Sequence, residues 1–413
     1  MRTLRLVFFG WLAVAALGAT VSAHDDPDHG GNAGSPAAVD VGDLWHKVRG
    51  QTFATDIETL PEPRRFLVLT PSIGSKPSTG LTGGFSGSGA FFSGSPGTTH
   101  ISSLSGGFSV TQQKQAMLGV KLALFTADDR WFILGDNRLS WTSQDTYSLG
   151  GRAPGSSAEN LRFDSSRLYG TVYRNVEPGL FVGVGLNVNT HSNVRASAGD
   201  PASFNRSAYV AYSAEHGFTT EHQTSSGTSV GLRYDTRDNA INAQRGWLAS
   251  ATYRTFFRGV LGGDSTWQEV NLDVRTYKSL SKDGRHKIAF WFLGDLVTGG
   301  AAPYFDLPAT GSDGRSARGY SEGRYRGEHL LYGEAEYRGT ITRNGLVGFV
   351  AFANVTTVGS AESGDRLFGS YAPAAGVGLR VLLNKRSQTR LCADYGWGRG
   401  GSGGFYLAIQ EAF

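Results

Sequence analysis

Hydrophobic and polar residues alternate along most of the chain after residue 65. In residues 179–189, leucines and valines occupy every even-numbered position, whereas glycines and asparagines dominate the odd-numbered positions. The same period of two recurs in residues 268–276 and 331–338. Successive side chains of a strand point to opposite faces, so this alternation predicts β-strands.

The charges on the polar faces of these strands indicate what kind of β-structure they form. Glu269, Asp273 and Arg275 share one face of a single predicted strand. A soluble sandwich buries its apolar face, whereas a membrane barrel turns that face to lipid and keeps its charges in the lumen. Several inward charges on each of many strands favour the barrel.

The predicted fold is all-β, a sixteen-stranded antiparallel transmembrane β-barrel. Most predicted strands are long enough for a tilted membrane strand, which needs about 9–11 residues. The predicted spans are 66–74, 80–93, 98–110, 115–125, 131–141, 163–173, 179–190, 228–235, 246–258, 266–279, 286–297, 329–340, 345–355, 371–383, 388–396 and 405–413. An even number of strands places both ends of the barrel on the periplasmic side.

The connections between these strands alternate in length. The short ones include 94–97, 126–130, 174–178 and 384–387, and the long ones 142–162, 191–227, 298–328 and 356–370. Outer-membrane barrels have short periplasmic turns and longer external loops. Residues 298–328 are therefore predicted to form the sixth external loop.

The last predicted strand ends on an aromatic residue. Its apolar face holds Phe405, Leu407, Ile409 and the terminal Phe413, although Glu411 interrupts the alternation. A C-terminal aromatic that closes an amphipathic strand resembles the recognition signal of bacterial outer-membrane barrels.

The residues before the barrel divide into two parts. Residues 1–23 combine Arg2 and Arg5, an apolar run and Val21-Ser22-Ala23, which is the pattern of a secretory signal peptide. Residues 24–65 are predicted to form a periplasmic extension that contains a short amphipathic helix. The apolar face of that helix comprises Val41, Leu44, Trp45 and Val48. Either the helix lies on the surface of the barrel or it plugs the pore.

Composition excludes several classes of function. The net charge of +4 is spread along the chain, which gives no reason to expect nucleic-acid binding. Two Gly-x-Ser-x-Gly sequences, at 227–231 and 400–404, lie in a predicted strand and a glycine-rich loop. Neither position is the strand–turn–helix elbow that a nucleophilic serine needs. We expect no enzyme activity, no cofactor and no metal site.

One segment of the chain resembles a known family. Residues 311–359 contain Arg318-Gly319-Tyr320, followed by Glu336-Tyr337-Arg338 on the next predicted strand. Residues 234–239, Tyr-Asp-Thr-Arg-Asp-Asn, occupy a predicted periplasmic turn. This ordered set is similar to the Omp85 superfamily of bacterial surface antigens, the BamA- and TamA-like barrels. That family carries an Arg-Gly-Phe/Tyr motif in its sixth external loop.

The resemblance implies a role for each motif residue. It places the sixth loop inside the lumen, where Arg318 hydrogen-bonds a carboxylate of the inner wall and Gly319 allows the tight turn before Tyr320. Asn354 stands where the family often has an aspartate, which leaves Glu336 as the expected charged partner, with Arg338 beside it. The alternative is an exposed basic loop that binds lipopolysaccharide phosphates. The family is also thought to have a weak seam between its first and last strands.

The resemblance also implies location and partners. It places the protein in the outer membrane of a Gram-negative-type bacterium, among outer-membrane lipids and lipopolysaccharide. Family members carry periplasmic POTRA domains before the barrel, and we expect none in the about 40 residues that precede the first strand here. The first functional hypothesis is therefore insertion or translocation of proteins or lipids, with a separate periplasmic partner and client outer-membrane proteins. The alternative is a passive or plugged pore without assembly activity.

Overall fold

The computed structural model describes residues 39–41, 65–76, 80–240, 242–384 and 388–413. They belong to one compact unit, Gly34–Phe413. The predicted signal peptide and the predicted plug-helix residues Leu44, Trp45 and Val48 lie outside the described residues.

The described chain is a single antiparallel sheet in which every strand pairs with its neighbours in the sequence. The strands are β1 (Arg65–Lys76), β2 (Gly80–Phe91), β3 (Ser102–Thr111), β4 (Ala116–Phe125), β5 (Trp131–Thr146), β6 (Glu159–Glu177), β7 (Leu180–Ala196), β8 (His222–Asp235), β9 (Gly246–Phe256), β10 (Trp267–Ser279), β11 (His286–Gly300), β12 (His329–Thr340), β13 (Val347–Gly359), β14 (Ala372–Asn384), β15 (Thr389–Gly398) and β16 (Gly403–Ile409). This arrangement confirms the all-β antiparallel barrel class. Among the described residues no backbone pairing joins β1 to β16, so the barrel is nearly closed.

The two faces of the sheet differ as the alternation predicts. On β7, Val182, Val184 and Leu186 are exposed on the outer surface, while Phe181 and Asn187 are buried on the inner face. An exposed apolar outer band around a polar interior is the surface that lipid requires. No helix among the described residues is long and apolar enough to cross a bilayer.

Strands extend beyond their predicted limits mainly at the end with the long loops, which we call the loop end. β5, for example, runs over Trp131–Thr146 where residues 131–141 are predicted. The added residues 142–146 continue the backbone ladder but are polar on both faces, so the alternation of hydrophobicity cannot identify them.

Two short helices, α1 (Pro201–Arg206) and α2 (Ala208–His216), lie between β7 and β8 at the loop end. The Asp200 carboxylate caps α1 by accepting from the amides of Ala202 and Ser203. Gly217 ends α2 in the left-handed conformation, with φ of 71°. Their buried aromatic residues join an apolar cluster under the loops that includes Tyr209, Tyr212, Phe256, Trp267, Tyr304, Phe305 and Leu307.

The end of the chain departs from the prediction. β16 ends at Ile409, and Gln410 adopts a φ of 77° that turns the last residues away from the strand. Phe413 is buried and stacks on the ring of Trp291, with 5.1 Å between centroids. The predicted strand 405–413 is therefore wrong beyond Ile409, and Phe413 does not lie on the apolar face of β16. The tail turns inward because Glu411 is a charged residue that finds partners on the inner wall.

At the opposite end, which we call the turn end, a histidine links two connections. The side chain of His100, between β2 and β3, hydrogen-bonds the Asp129 carboxylate, between β4 and β5, and stacks on Phe125. The backbone amide of His100 donates to the same carboxylate at 2.8 Å. The hydrogen bond that the His100 ring donates to the Asp129 carboxylate raises the pKa of His100 above its ordinary value of 6.5 and outweighs the effect of burial.

Because His100 and Asp129 are hydrogen-bonded, we expect the order of residues 92–101 to depend on pH. A raised histidine pKa contributes stability that is complete below the ordinary pKa and is lost as the pH rises through the raised value. Amide protection of residues 92–101, corrected for intrinsic exchange, is therefore expected to be complete below the ordinary pKa of 6.5 and to fall as the pH rises through the raised pKa of His100. The fall should be absent in Asp129→Asn. An equal fall in both proteins would contradict the assignment.

Candidate functional site

The connection between β11 and β12, residues 301–328, folds back against the inner face of the barrel. We call it loop six. Its motif residues Arg318 and Tyr320 are buried, as is Arg326 near its end. A backbone bridge between Ala309 and Arg326 holds the two limbs of the loop together.

Arg318 lies among three carboxylates of the inner wall. Its guanidinium donates to Asp394 on β15 at 2.5 Å and to both Glu334 and Glu336 on β12. The same guanidinium lies 3.8 Å above the ring of Phe352 on β13. All of these side chains are at least nine-tenths buried, so the pairs are screened little by water. Arg318 thus connects loop six to β12 and to β15, the strands on either side of the β13–β14 pair.

The carboxylates are shared with two further arginines. Arg380 on β14 donates to Asp394 and, at 2.7 Å, to Glu411 in the C-terminal tail. Arg338 on β12 donates to Glu336 at 2.5 Å. The network joins loop six, the inner wall and the chain terminus. Removal of a single member leaves an uncompensated buried charge, which costs far more free energy of folding than the loss of a surface ion pair does.

Glycines on the wall leave space for the motif backbone. Gly319 has a φ of 111°, which side chains rarely adopt. A Cβ added at Gly396 would lie 2.8 Å from the Gly319 nitrogen, and one at Gly398 would lie 2.6 Å from the Gly319 oxygen. The loop therefore packs backbone against backbone, which only glycine at these wall positions allows.

Tyr320 and its neighbours fix the tip by hydrogen bonds. The Tyr320 hydroxyl donates to the Pro373 carbonyl at 2.6 Å and accepts from the Arg399 amide at 2.9 Å. The Gly319 amide donates to the hydroxyl of Tyr406 on β16 at 2.9 Å. The tip thus contacts β14, β16 and the connection between β15 and β16.

The predicted site residues meet in part as expected. Glu336 contacts Arg318 directly. Asn354 instead donates to the Arg318 carbonyl at 3.1 Å and to the Glu334 carboxylate at 3.4 Å, so it contacts the motif backbone and one of the partners of the Arg318 guanidinium. Arg338 has no contact with Arg318 among the described residues and acts on Glu336. Glu334 and Asp394 also accept from Arg318 but are not among its predicted partners, although both lie on the polar faces of their predicted strands.

The N-terminal segment is described only at residues 39–41. The Val39 amide donates to the carbonyl of Asn344, in the turn between β12 and β13, at 2.9 Å. Val41 is 39% exposed. The rest of the predicted plug helix falls outside the described residues, so both of its predicted placements stay open. Within the part of the chain that is described, no group of three or more metal-ligating side chains is arranged around an ion site.

Comparison with known proteins identifies the class to which this barrel belongs. The Omp85 superfamily domain matches residues 129–413, and the chain belongs to that superfamily. The sequence has no significant match among curated proteins.

Solved structures share the fold. BamA of Haemophilus ducreyi, in a structure lacking POTRA domains 1–3, is 15% identical, with a TM-score of 0.50 over 84% of this chain and 69% of that one. CdiB of Acinetobacter baumannii is 13% identical, with a TM-score of 0.53 over 84% of this chain and 59% of that one. CdiB of Escherichia coli is 12% identical, with a TM-score of 0.52 over 85% of this chain and 62% of that one. The chain therefore spans less than two thirds of either CdiB.

Proposed function

We propose that this protein is an outer-membrane barrel of a Gram-negative-type bacterium that assists the insertion or translocation of proteins or lipids. In this proposal the sixteen strands close between β1 and β16 through a weak seam. Loop six occupies the lumen, and the protein is not an enzyme.

The edges of β1 and β16, which lie side by side without a backbone ladder between them in the described part of the chain, carry the proposal. An edge strand presents free backbone donors and acceptors, and so is a template for another strand. β16 has 7 residues against 12 in β1, so even a full seam leaves part of β1 unpaired. A strand of a client protein can add to such an edge by backbone hydrogen bonds.

The proposal includes a separate periplasmic partner that delivers clients to the turn end. The contact of Val39 with Asn344 supports this placement, because a carbonyl in the turn between β12 and β13 accepts a backbone hydrogen bond from the N-terminal segment. Outer-membrane lipids and lipopolysaccharide surround the exposed apolar band.

A folding assay in liposomes tests the proposed activity. The full chain is reconstituted into liposomes, an unfolded small barrel is added, and the heat-resistant folded client is followed on semi-native gels. The control is the same mass of a fully closed porin-type barrel, which corrects for bilayer defects. Faster client folding than in the control supports insertion activity. Equal rates contradict it and favour the second candidate, a passive or plugged pore.

A further inference from the structure

Loop six does not fill the lumen on the side of β2–β6. A cavity of about 570 Å³ remains there between the loop and the inner wall. This size falls within the range of small-molecule sites, about 300–1,000 Å³. Strands β2 and β3 line it with short hydroxyl side chains, namely Thr82, Ser86, Ser88, Ser105 and Ser109.

Cations predominate among the charged side chains that line this cavity. The cations are Lys121 on β4, Arg138 on β5, Arg167 on β6, and Arg315 and Arg326 from loop six. The acids are Asp136 and Glu322. Asp313 lies close by, and its carboxylate accepts from the Arg315 amide. Asp306, which accepts a hydrogen bond from the lining residue Asn189, is a further acid beside the cavity, so five cations face four acids.

The nearest acid, Asp136, is paired with only one of these cations. Both carboxylate oxygens of Asp136 accept from Arg138, at 2.9 and 2.7 Å. Arg138 and Arg167 stand directly opposite each other on paired strands, an arrangement that like charges disfavour. Among the described residues, neither Lys121 nor Arg167 has an ion pair within 4.0 Å or a side-chain hydrogen bond. Asp136 stands opposite Lys121 on the paired strand and offsets part of this charge, so the wall presents a net positive charge to the cavity.

Buried donors in the same lining also have no acceptor. The Gln144 side-chain nitrogen is buried without a hydrogen-bond partner, and so is the Arg326 Nε atom. An unmet buried donor costs about 1–3 kcal/mol. A ligand that supplies several acceptor oxygens and negative charge would relieve both deficits.

We propose that this cavity binds a phosphate-class anion, either inorganic phosphate or a small phosphate ester. Arg167 and Lys121 would contact the phosphoryl oxygens, since arginine and lysine are the usual phosphate-binding side chains. The serine hydroxyls of β2 and β3 would complete the donor set. The volume beyond a bare phosphate group leaves space for a small ester substituent. The inference does not depend on insertion activity.

Calorimetric titration of the full chain in detergent micelles tests the proposal. The probes are inorganic phosphate and glycerol 1-phosphate, at low ionic strength. We expect saturable binding with one site, and a loss of about tenfold or more in affinity in Arg167→Gln, as in Lys121→Gln. Arg167→Lys keeps the charge and should lose less. Lys282→Gln, on the exposed turn between β10 and β11, is the control and should bind as the native protein does.

The two probes distinguish the sources of the anion. Tighter binding of glycerol 1-phosphate supports a site for a phosphorylated solute or headgroup, and equal or tighter binding of inorganic phosphate supports a site for the free ion. Absence of saturable binding by either probe overturns the proposal. Native affinity in both Arg167→Gln and Lys121→Gln, with the variants shown to be folded by their heat-modifiable gel mobility, also overturns it.

Discussion

Replacement of Arg318 by alanine is expected to destabilise the barrel by about 3–5 kcal/mol and to free loop six. The substitution leaves Glu334, Glu336 and Asp394 buried without their shared guanidinium. Their mutual repulsion then acts in an interior that screens charge weakly. The measurement is the urea midpoint of unfolding, together with the rate at which an added protease cuts residues 301–328.

The matched control for this prediction is another arginine–aspartate pair. Arg152 pairs with Asp365 at 3.2 Å at the loop end, with 65% of the arginine side chain exposed. Exposed pairs contribute about 0–1 kcal/mol, so Arg152→Ala should change the midpoint little. If Arg318→Ala behaves like Arg152→Ala in both assays, the buried network does not hold the loop.

Replacement of Gly396 by valine is expected to displace the motif from the wall while every charge remains in place. Even the first added carbon would lie 2.8 Å from the Gly319 nitrogen and 3.0 Å from the Arg318 carbonyl carbon. Both neighbours are backbone atoms of the loop, so they move only with the loop itself. The cost is typical of overpacking, about 1–3 kcal/mol, and faster proteolysis of loop six should accompany it.

Gly333→Val is the control for this substitution. A Cβ at Gly333 on β12 meets no atom within 4 Å, so the site has space for a side chain. We expect its loop-six proteolysis to match that of the native protein. Native proteolysis in Gly396→Val as well would mean that the loop does not rest on the glycine wall.

The alternation of side chains explains why so much of the fold is predictable from the sequence. A barrel strand must be apolar outside and polar inside, so its period of two is visible in isolated stretches such as 179–189. That signal ends where strands extend past the apolar band, which is why β5 is longer than predicted. It also fails at the C-terminus, where one left-handed residue, Gln410, redirects the chain inward.

The partners of Arg318 are harder to predict for a geometric reason. Period two shows that Glu334, Glu336 and Asp394 face inward. It does not show which inward residues stand at the same height, because that depends on the tilt and stagger of the strands. The motif itself was recognisable only through family resemblance. Asn354 illustrates the limit. The sequence predicts only that a charged contact to Arg318 is lost at this position, whereas in the structure Asn354 donates a hydrogen bond to the Arg318 carbonyl.

Planar-bilayer conductance tests most directly whether loop six, held by Arg318, closes the lumen. The three proteins to compare are the native protein, Arg318→Ala and a chain truncated before Phe66. The account predicts small currents in the native protein and the truncated chain, and a large rise in Arg318→Ala. Truncation that opens the pore while Arg318→Ala leaves it closed would contradict the account, and would make the N-terminal segment the plug.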